Sequence, residues 1–154
     1  MITVSNEDPD SPDSQALMAE LGAVLQAITG SNGSANFDVN DLRTDGARFA
    51  VARTAEGVAV GCGAFLPFAA GVAEIKRMYA RPGQRGAGSA ILVHLETEAA
   101  ALGYATLCLE TRLINTRAVA FYEARQYQRI LNYGKYVGNP LAACFQKQLG
   151  RAIR

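Results

Sequence analysis

EIKRMYARPGQRGAGSAILVHLE, Glu74 to Glu96, decides the fold. Its beginning completes a strand-like run from Val72 to Ala80. Ser89 to Leu102 then reads as a helix, with Leu92, Leu95, Ala99 and Leu102 on one face and Gly103 as its stop. Between them lies the basic, glycine-rich loop Arg81-Pro82-Gly83-Gln84-Arg85-Gly86-Ala87-Gly88. Small residues let a backbone approach a ligand closely. The first amides of a helix have no internal acceptor, and the helix dipole favours an anion there. Arg81 and Arg85 flank the loop and can pair with phosphate oxygens. The segment therefore suits a pyrophosphate. The competing reading is a glycine-rich connection with solvated arginines.

Two nucleotide motifs fit less well. A P-loop ends in Gly-Lys-Ser/Thr, and here the residues are Gly88-Ser89-Ala90. A dinucleotide fingerprint beginning at Gly86 and Gly88 requires a small residue where Ile91 stands, although Glu110 lies near the place of a ribose-binding acid.

Upstream, Arg48 to Arg53, Val58 to Phe68 and Val72 to Ala80 are joined by Ala55-Glu56-Gly57 and Ala69-Ala70-Gly71, so they are expected to be antiparallel neighbours. Ile2 to Ser5 is a short first strand. Ser11 caps and Pro12 opens a helix that runs to Gly30, and Phe37 to Arg43 is a second short helix. Downstream, Thr106 to Thr111 is a buried strand. Asn115 caps a helix from Thr116 to about Arg125, and Gln128 to Asn132 and Ala142 to Leu149 are final strands. No repeat or linker interrupts the chain. Residues 1–154 are expected to form one domain of mixed α/β (α+β) class.

Composition narrows the function. Fifteen basic against fourteen acidic residues give a net charge of +1, so no global field points to nucleic acid or an anionic membrane. No apolar run has the length of a membrane span. Cys62, Cys108 and Cys144 are far apart in sequence, and His94 is the single histidine, so neither a disulfide framework nor a metal site is expected. The cysteines read as packing residues and His94 as a solvated surface residue. A soluble protein of the reducing cytoplasm is the expectation.

Arg85-x-x-Gly88-x-Ala90 resembles the R/Q-x-x-G-x-G/A motif of the GNAT superfamily of N-acetyltransferases. Glu74 to Glu96 is similar to that family's central strand, pyrophosphate loop and helix. LETRLINTRAVAFYEARQY, Leu109 to Tyr127, is similar to its next strand and the helix carrying Asn and Tyr. The resemblance spans about Arg48 to Leu149. It implies a seven-stranded mixed sheet with about four flanking helices. The central strands, Val72 to Ala80 and Thr106 to Thr111, would be parallel and splayed around acetyl-CoA. Backbone groups of Met78, Tyr79 and Ala80 would pair with the pantetheine arm. Gln84, Arg85, Gly86, Ala87, Gly88, Ser89 and Ala90 would hold the pyrophosphate.

The resemblance also implies chemistry. Glu74 would be the general base for the acceptor amine. The alternative is a carboxylate tied to Lys76, which shares its strand face and weakens it as a base. Tyr122 would donate a hydrogen bond to the departing thiolate, its alternative being packing on the sheet. Asn115 would cap its helix and still reach the coenzyme arm. The amides of Met78 to Ala80 would stabilise the developing oxyanion where a bulge frees one of them from the ladder. Gln126 stands where the family commonly has Gly, which predicts a left-handed residue there. Arg112, Tyr133 and Tyr136 would border the acceptor pocket, with Lys76 and Arg112 suited to an acceptor carboxylate.

The resulting expectation is direct transfer from acetyl-CoA to a small-molecule primary amine in a ternary complex, without a metal. A homodimer would pair through the last strands. The alternative is a non-catalytic CoA-binding or partner-binding module on the same fold.

Overall fold

The computed structural model describes residues 1–150; the last four residues of the expected domain, 151–154, lie outside them. Seven strands form one sheet: β1 (Thr3–Asn6), β2 (Arg48–Arg53), β3 (Ala59–Ala69), β4 (Val72–Ala80), β5 (Thr106–Arg112), β6 (Gln128–Ile130) and β7 (Ala142–Gln148). Their order across the sheet is β1-β2-β3-β4-β5-β7-β6. Only β4 and β5 run parallel. Their crossover carries α2 (Ala87–Ala101), as a parallel connection requires.

Three α-helices flank the sheet: α1 (Pro12–Thr29), α2 and α3 (Thr116–Ala124). The Ser11 side chain accepts a hydrogen bond from the Ser14 amide and Pro12 opens α1, while left-handed Gly30 closes it. The expected helix at Phe37 to Arg43 is instead a pair of 3-10 turns, Ser34–Asn36 and Val39–Arg43. So short a segment gains few α-type bonds, and Asp38 caps the tighter turn through the Asn40 amide.

Two cores result. On one face Ile91, Leu92 and Leu95 of α2 and Tyr122 of α3 pack on Phe65, Ile75, Leu107 and Phe145. On the other, Leu17 of α1 and Leu42 pack on Phe49, Val51, Cys62 and Ala64. His94 does not simply face solvent. Its Nε2 lies 2.8 Å from Asn6 Oδ1 and links α2 to β1. β6 forms one edge of the sheet, with Leu131, Val137 and Leu141 exposed around it.

All three cysteines are free and buried. Burial pushes the Cys62 thiol up to about 12 and Cys108 to about 11, and raises Cys144 as well. The native protein is accordingly expected to resist Ellman's reagent at pH 8, and all three thiols to react in urea. A fast-reacting thiol in the native state would contradict this packing.

Among the described residues no helix is long and apolar enough to cross a membrane, and no group of three potential ligands is placed to hold a metal.

Candidate active site

The central parallel pair parts early. Its ladder holds only at Val72↔Thr106, Ala73↔Leu107 and Glu74↔Cys108. Beyond it β4 runs on to Ala80 and β5 to Arg112, so each presents an open edge to the gap. Backbone amides and carbonyls along such an edge require partners. The sheet thus contains a cleft suited to an extended, amide-bearing chain.

A second irregularity lies on the other side of β4. Cys62 pairs with Tyr79 and Ala64 with Lys76, so Arg77 and Met78 together face Gly63. Arg77 takes φ 57, a left-handed conformation usually reserved for Gly at such bulges. A bulge is therefore present at Arg77–Met78, reaching only the first residue of the Met78 to Ala80 stretch where one was expected.

At the C-terminal end of β4, left-handed Gly83 and Gly86 shape the loop, and Gly86 caps α2 without any side-chain bond. The turn closes through Gln84 N–H to Arg81 O and Ala87 N–H to Gln84 O. Among the described residues, the amides of Arg85, Gly86, Gly88 and Ser89 find no protein acceptor. They form a cradle with the helix dipole behind it. Gly88 also packs closely: a Cβ there would stand 3.2 Å from the Phe121 ring, which would have to give slightly.

The loop arginines divide. Arg85 is exposed and forms no ion pair among the described residues. Arg81, expected to serve the loop, is held elsewhere. It grips Glu20 of α1 through two hydrogen bonds, 2.9 and 2.8 Å, and the Ala59 carbonyl through a third. Tyr79 donates to the same Glu20 at 3.1 Å. This cluster locks α1 to β4. A different cation stands at the helix start. Arg125 donates to Ser89 Oγ from Nε and Nη2, with its guanidinium 3.8 Å over the Phe121 ring. Nothing in the sequence distinguished Arg125 from an ordinary residue at a helix end.

Glu74 lies where the strands part, and it is buried. Its Oε2 accepts a 2.6 Å hydrogen bond from Tyr133, and its Oε1 lies 3.4 Å from Lys76 Nζ. Lys76 in turn donates to the Tyr136 hydroxyl at 3.2 Å. Tyr133 packs edge-on against Phe68 and Tyr136. The pairing with Lys76 is thus present, and it lies at the fork of the two strands. Glu110, two residues along β5 from Cys108, lies 3.2 Å from Arg112. The two facing atoms, Oε2 and Nη1, are out of hydrogen-bond alignment. Burial raises the Glu110 pKa, and Arg112 opposes that shift. The alternation Cys108, Glu110, Arg112 along β5 was the sequence signal for this second acid. Lys76 and Arg112, expected to await an acceptor carboxylate, each face an acid of the protein instead.

Tyr122 is buried between Phe121 and Tyr127, with ring centroids 5.1 and 5.6 Å away. Burial pushes its phenol above the ordinary tyrosine range, so it remains a hydrogen-bond donor. Asn115 caps α3 by accepting from the Ala118 amide at 3.3 Å. Gln126 has φ 74, the left-handed conformation expected of it.

A parted parallel pair leading into a helix start with free amides suits an extended, amide-bearing thioester followed by a pyrophosphate, the layout that an acyl-CoA-dependent acyltransferase requires. Comparison supplies the family. The model of the Acetyltransferase (GNAT) family matches residues 15–127, and the chain belongs to that family. An "IAA acetyltransferase" of Azospirillum brasilense is 31% identical over 151 residues, covering 96% of this chain and 98% of the relative. A structure from Klebsiella pneumoniae, described as an acyl-CoA N-acyltransferase, superposes with a TM-score of 0.82 at 28% identity, covering 97% of this chain and 99% of that one. The PaiA N-acetyltransferase of Thermoplasma acidophilum, solved in complex with coenzyme A, shares the fold. Its TM-score is 0.71 at 14% identity, covering 96% and 99% of the two chains.

Proposed function

We propose that this acyltransferase moves an acetyl group from acetyl-CoA to the primary amine of a small molecule, directly and in a ternary complex. The observation that carries the reading is the early end of the β4–β5 ladder at Glu74↔Cys108, with a buried acid at the fork. Acetyl-CoA supplies the activated acetyl thioester. The open edge of Met78, Tyr79 and Ala80 would pair with its pantetheine amides. Gln84 to Ala90 would hold the pyrophosphate on the free amides of Arg85, Gly86, Gly88 and Ser89, with Arg85 adding charge. Asn115 caps α3, which carries Tyr122.

Glu74 takes the amine's proton, directly or through a water, while Tyr133 fixes the orientation of its carboxylate. Tyr122 donates a hydrogen bond to the leaving sulfur. The bulge at Arg77–Met78 supports the amide proposed for the oxyanion. Direct transfer is favoured because Cys108, the thiol at the fork, is pushed up to about 11 by burial and is no ready acyl carrier. We place the enzyme in the cytoplasm, where free thiols persist.

Calorimetric titration tests the reading against both alternatives. Saturable one-to-one binding of acetyl-CoA, with none of NAD, is expected, followed by turnover in a screen of primary amines. Binding of NAD, or of neither, would overturn it. Acetyl-CoA binding without turnover of any amine would favour the non-catalytic module.

A further inference from the structure

The bulge residue Arg77 combines three features that fold stability does not explain. First, its backbone is left-handed at φ 57. A long side chain in that conformation is strained, and Gly would avoid the strain. Second, its guanidinium is half-buried and lacks a carboxylate. Among the described residues its contacts are the Asn32 carbonyl at 3.4 Å and the Phe37 ring at 5.0 Å. Every other arginine placed against the body of the sheet in this region, such as Arg81 and Arg53, holds an acid. Third, Arg77 lines a cavity of about 570 Å³ between α1 and the 3-10 turns. Met18, Ala19, Ala23 and Phe37 give that cavity an apolar wall.

A cation withdrawn from water without a counter-charge is unfavourable. Here burial pushes the Arg77 pKa downward; the Cys62 thiol opposes the shift, but burial keeps that thiol protonated, and no carboxylate takes part. The surrounding loop fits closely around the guanidinium: a Cβ on Gly33 would stand 3.1 Å from Arg77 Nη2. The site also lies on the right strand. Arg77 is three residues beyond Glu74, at most about 10 Å along β4.

We infer that the cavity between α1 and the 3-10 turns holds a carboxylate and the apolar body of the acceptor, with Arg77 as the counter-charge. This rests on the acetyltransferase reading above and specifies its substrate class. The acceptor is an amine carrying a carboxylate on an apolar body, the two polar groups separated by no more than the span from Glu74 to Arg77. A single cation and an apolar wall fit a monoanion. The inference moves the anion-recognising role from Lys76 and Arg112, which face Glu74 and Glu110, to Arg77.

The test needs no knowledge of the acceptor. Protein carrying methyl-13C methionine is titrated with monocarboxylic acids from acetate to 3-phenylpropionate and with their primary amides. The Met18 methyl signal, assigned through Met18→Leu, reports on the cavity. A saturable shift is expected with at least one acid, with the matching amide bound tenfold or more weakly, as befits loss of a charge-assisted bond. Arg77→Gly, which relieves the left-handed strain and so folds, should erase that preference. Arg77→Lys should keep part of it. No saturable shift with any acid, equal binding of acid and amide, or a preference that survives Arg77→Gly would each overturn the inference. Acetyl-CoA is titrated into the same samples. If it binds while Arg77 shows no preference, only this inference fails. If it does not bind, the acetyltransferase reading fails, and an acid response at Met18 would then mark a carboxylate site unconnected with an acceptor.

Discussion

Glu74→Gln is expected to lower kcat/KM for the amine about 100-fold or more, the usual scale of a lost general base. Acetyl-CoA affinity should stay within about twofold, because the coenzyme is assigned to backbone groups beyond Glu74. Gln keeps the size of Glu and can still accept the 2.6 Å hydrogen bond from Tyr133. What it removes is the proton-accepting charge and the contact with Lys76 at 3.4 Å. A lysine left beside a neutral amide is a stability problem as well as a catalytic one. Thermal melting of the variant therefore belongs in the experiment, so that unfolding is not counted as lost chemistry. Tyr133→Phe is the informative companion. It leaves the carboxylate charged but removes its orienting donor, so it should reduce kcat less than Glu74→Gln does. Full turnover by Glu74→Gln would assign the carboxylate to holding Lys76 and the tyrosines in place. Glu110, the other acid on that face, would then be the group to replace.

Much of this was legible in the sequence because local rules and the fold agree. Ser11, Pro12 and Gly30 bound α1, and Gly57 and Gly71 make the turns that put β2, β3 and β4 side by side. The loop before α2 announced itself through its glycines. What was not legible depends on partners distant in the chain. Arg81 looks like a phosphate ligand beside Gly83, yet Glu20, 61 residues away, claims it. His94 falls at an outward position of α2, yet Asn6, 88 residues away, engages it. The role of Arg77 was hidden for a related reason. A bulge is defined by the register between two strands, here Cys62↔Tyr79 against Ala64↔Lys76, and no periodicity within β4 reveals it.

Tyr122 likewise takes its surroundings from residues beyond its own helix. Its position in α3 suggested either packing or hydrogen bonding to sulfur, and the packing is what the structure shows. The ring is part of the main core, while among the described residues its hydroxyl has no hydrogen-bond partner. A phenol kept protonated by burial suits a group that must donate and not titrate. Tight packing between Phe121 and Tyr127 also limits where that hydroxyl can move.

One methyl group at Gly61 should be felt in both fold and function. Gly61 is opposite Ala80 in the β3–β4 ladder. A Cβ there would stand 2.8 Å from the Tyr79 carbonyl oxygen, 2.8 Å from Ile91 Cδ1 and 3.4 Å from Ala80 Cα. Ile91 is fully buried and has nowhere to retreat. The backbone of Tyr79 and Ala80 must yield instead, and this is the edge assigned to the pantetheine arm. Gly61→Ala is therefore expected to destabilise the protein by about 2 kcal/mol, within the range of core overpacking. For a chain of this size that corresponds to a fall in Tm of about 4–8 °C. Acetyl-CoA affinity in the surviving folded protein should fall about tenfold, since displacing one or two backbone hydrogen bonds is enough for that change. Gly63→Ala provides the contrast. Its Cβ would meet Met78 Sδ at 2.5 Å, Ile91 Cγ2 at 2.7 Å and Leu95 Cδ1 at 3.1 Å, all on side chains; the methionine can swing aside, but Ile91 and Leu95 are fully buried. Its stability cost should be comparable, about 2 kcal/mol, but the strain falls on the packing of α2 and not on the Tyr79–Ala80 backbone, so coenzyme affinity should be less affected. Thermal melts and calorimetry on the two variants decide the matter. Equal losses of affinity would mean that the position of the Tyr79–Ala80 backbone does not control coenzyme binding, and the pantetheine arm would have to be assigned elsewhere in the cleft.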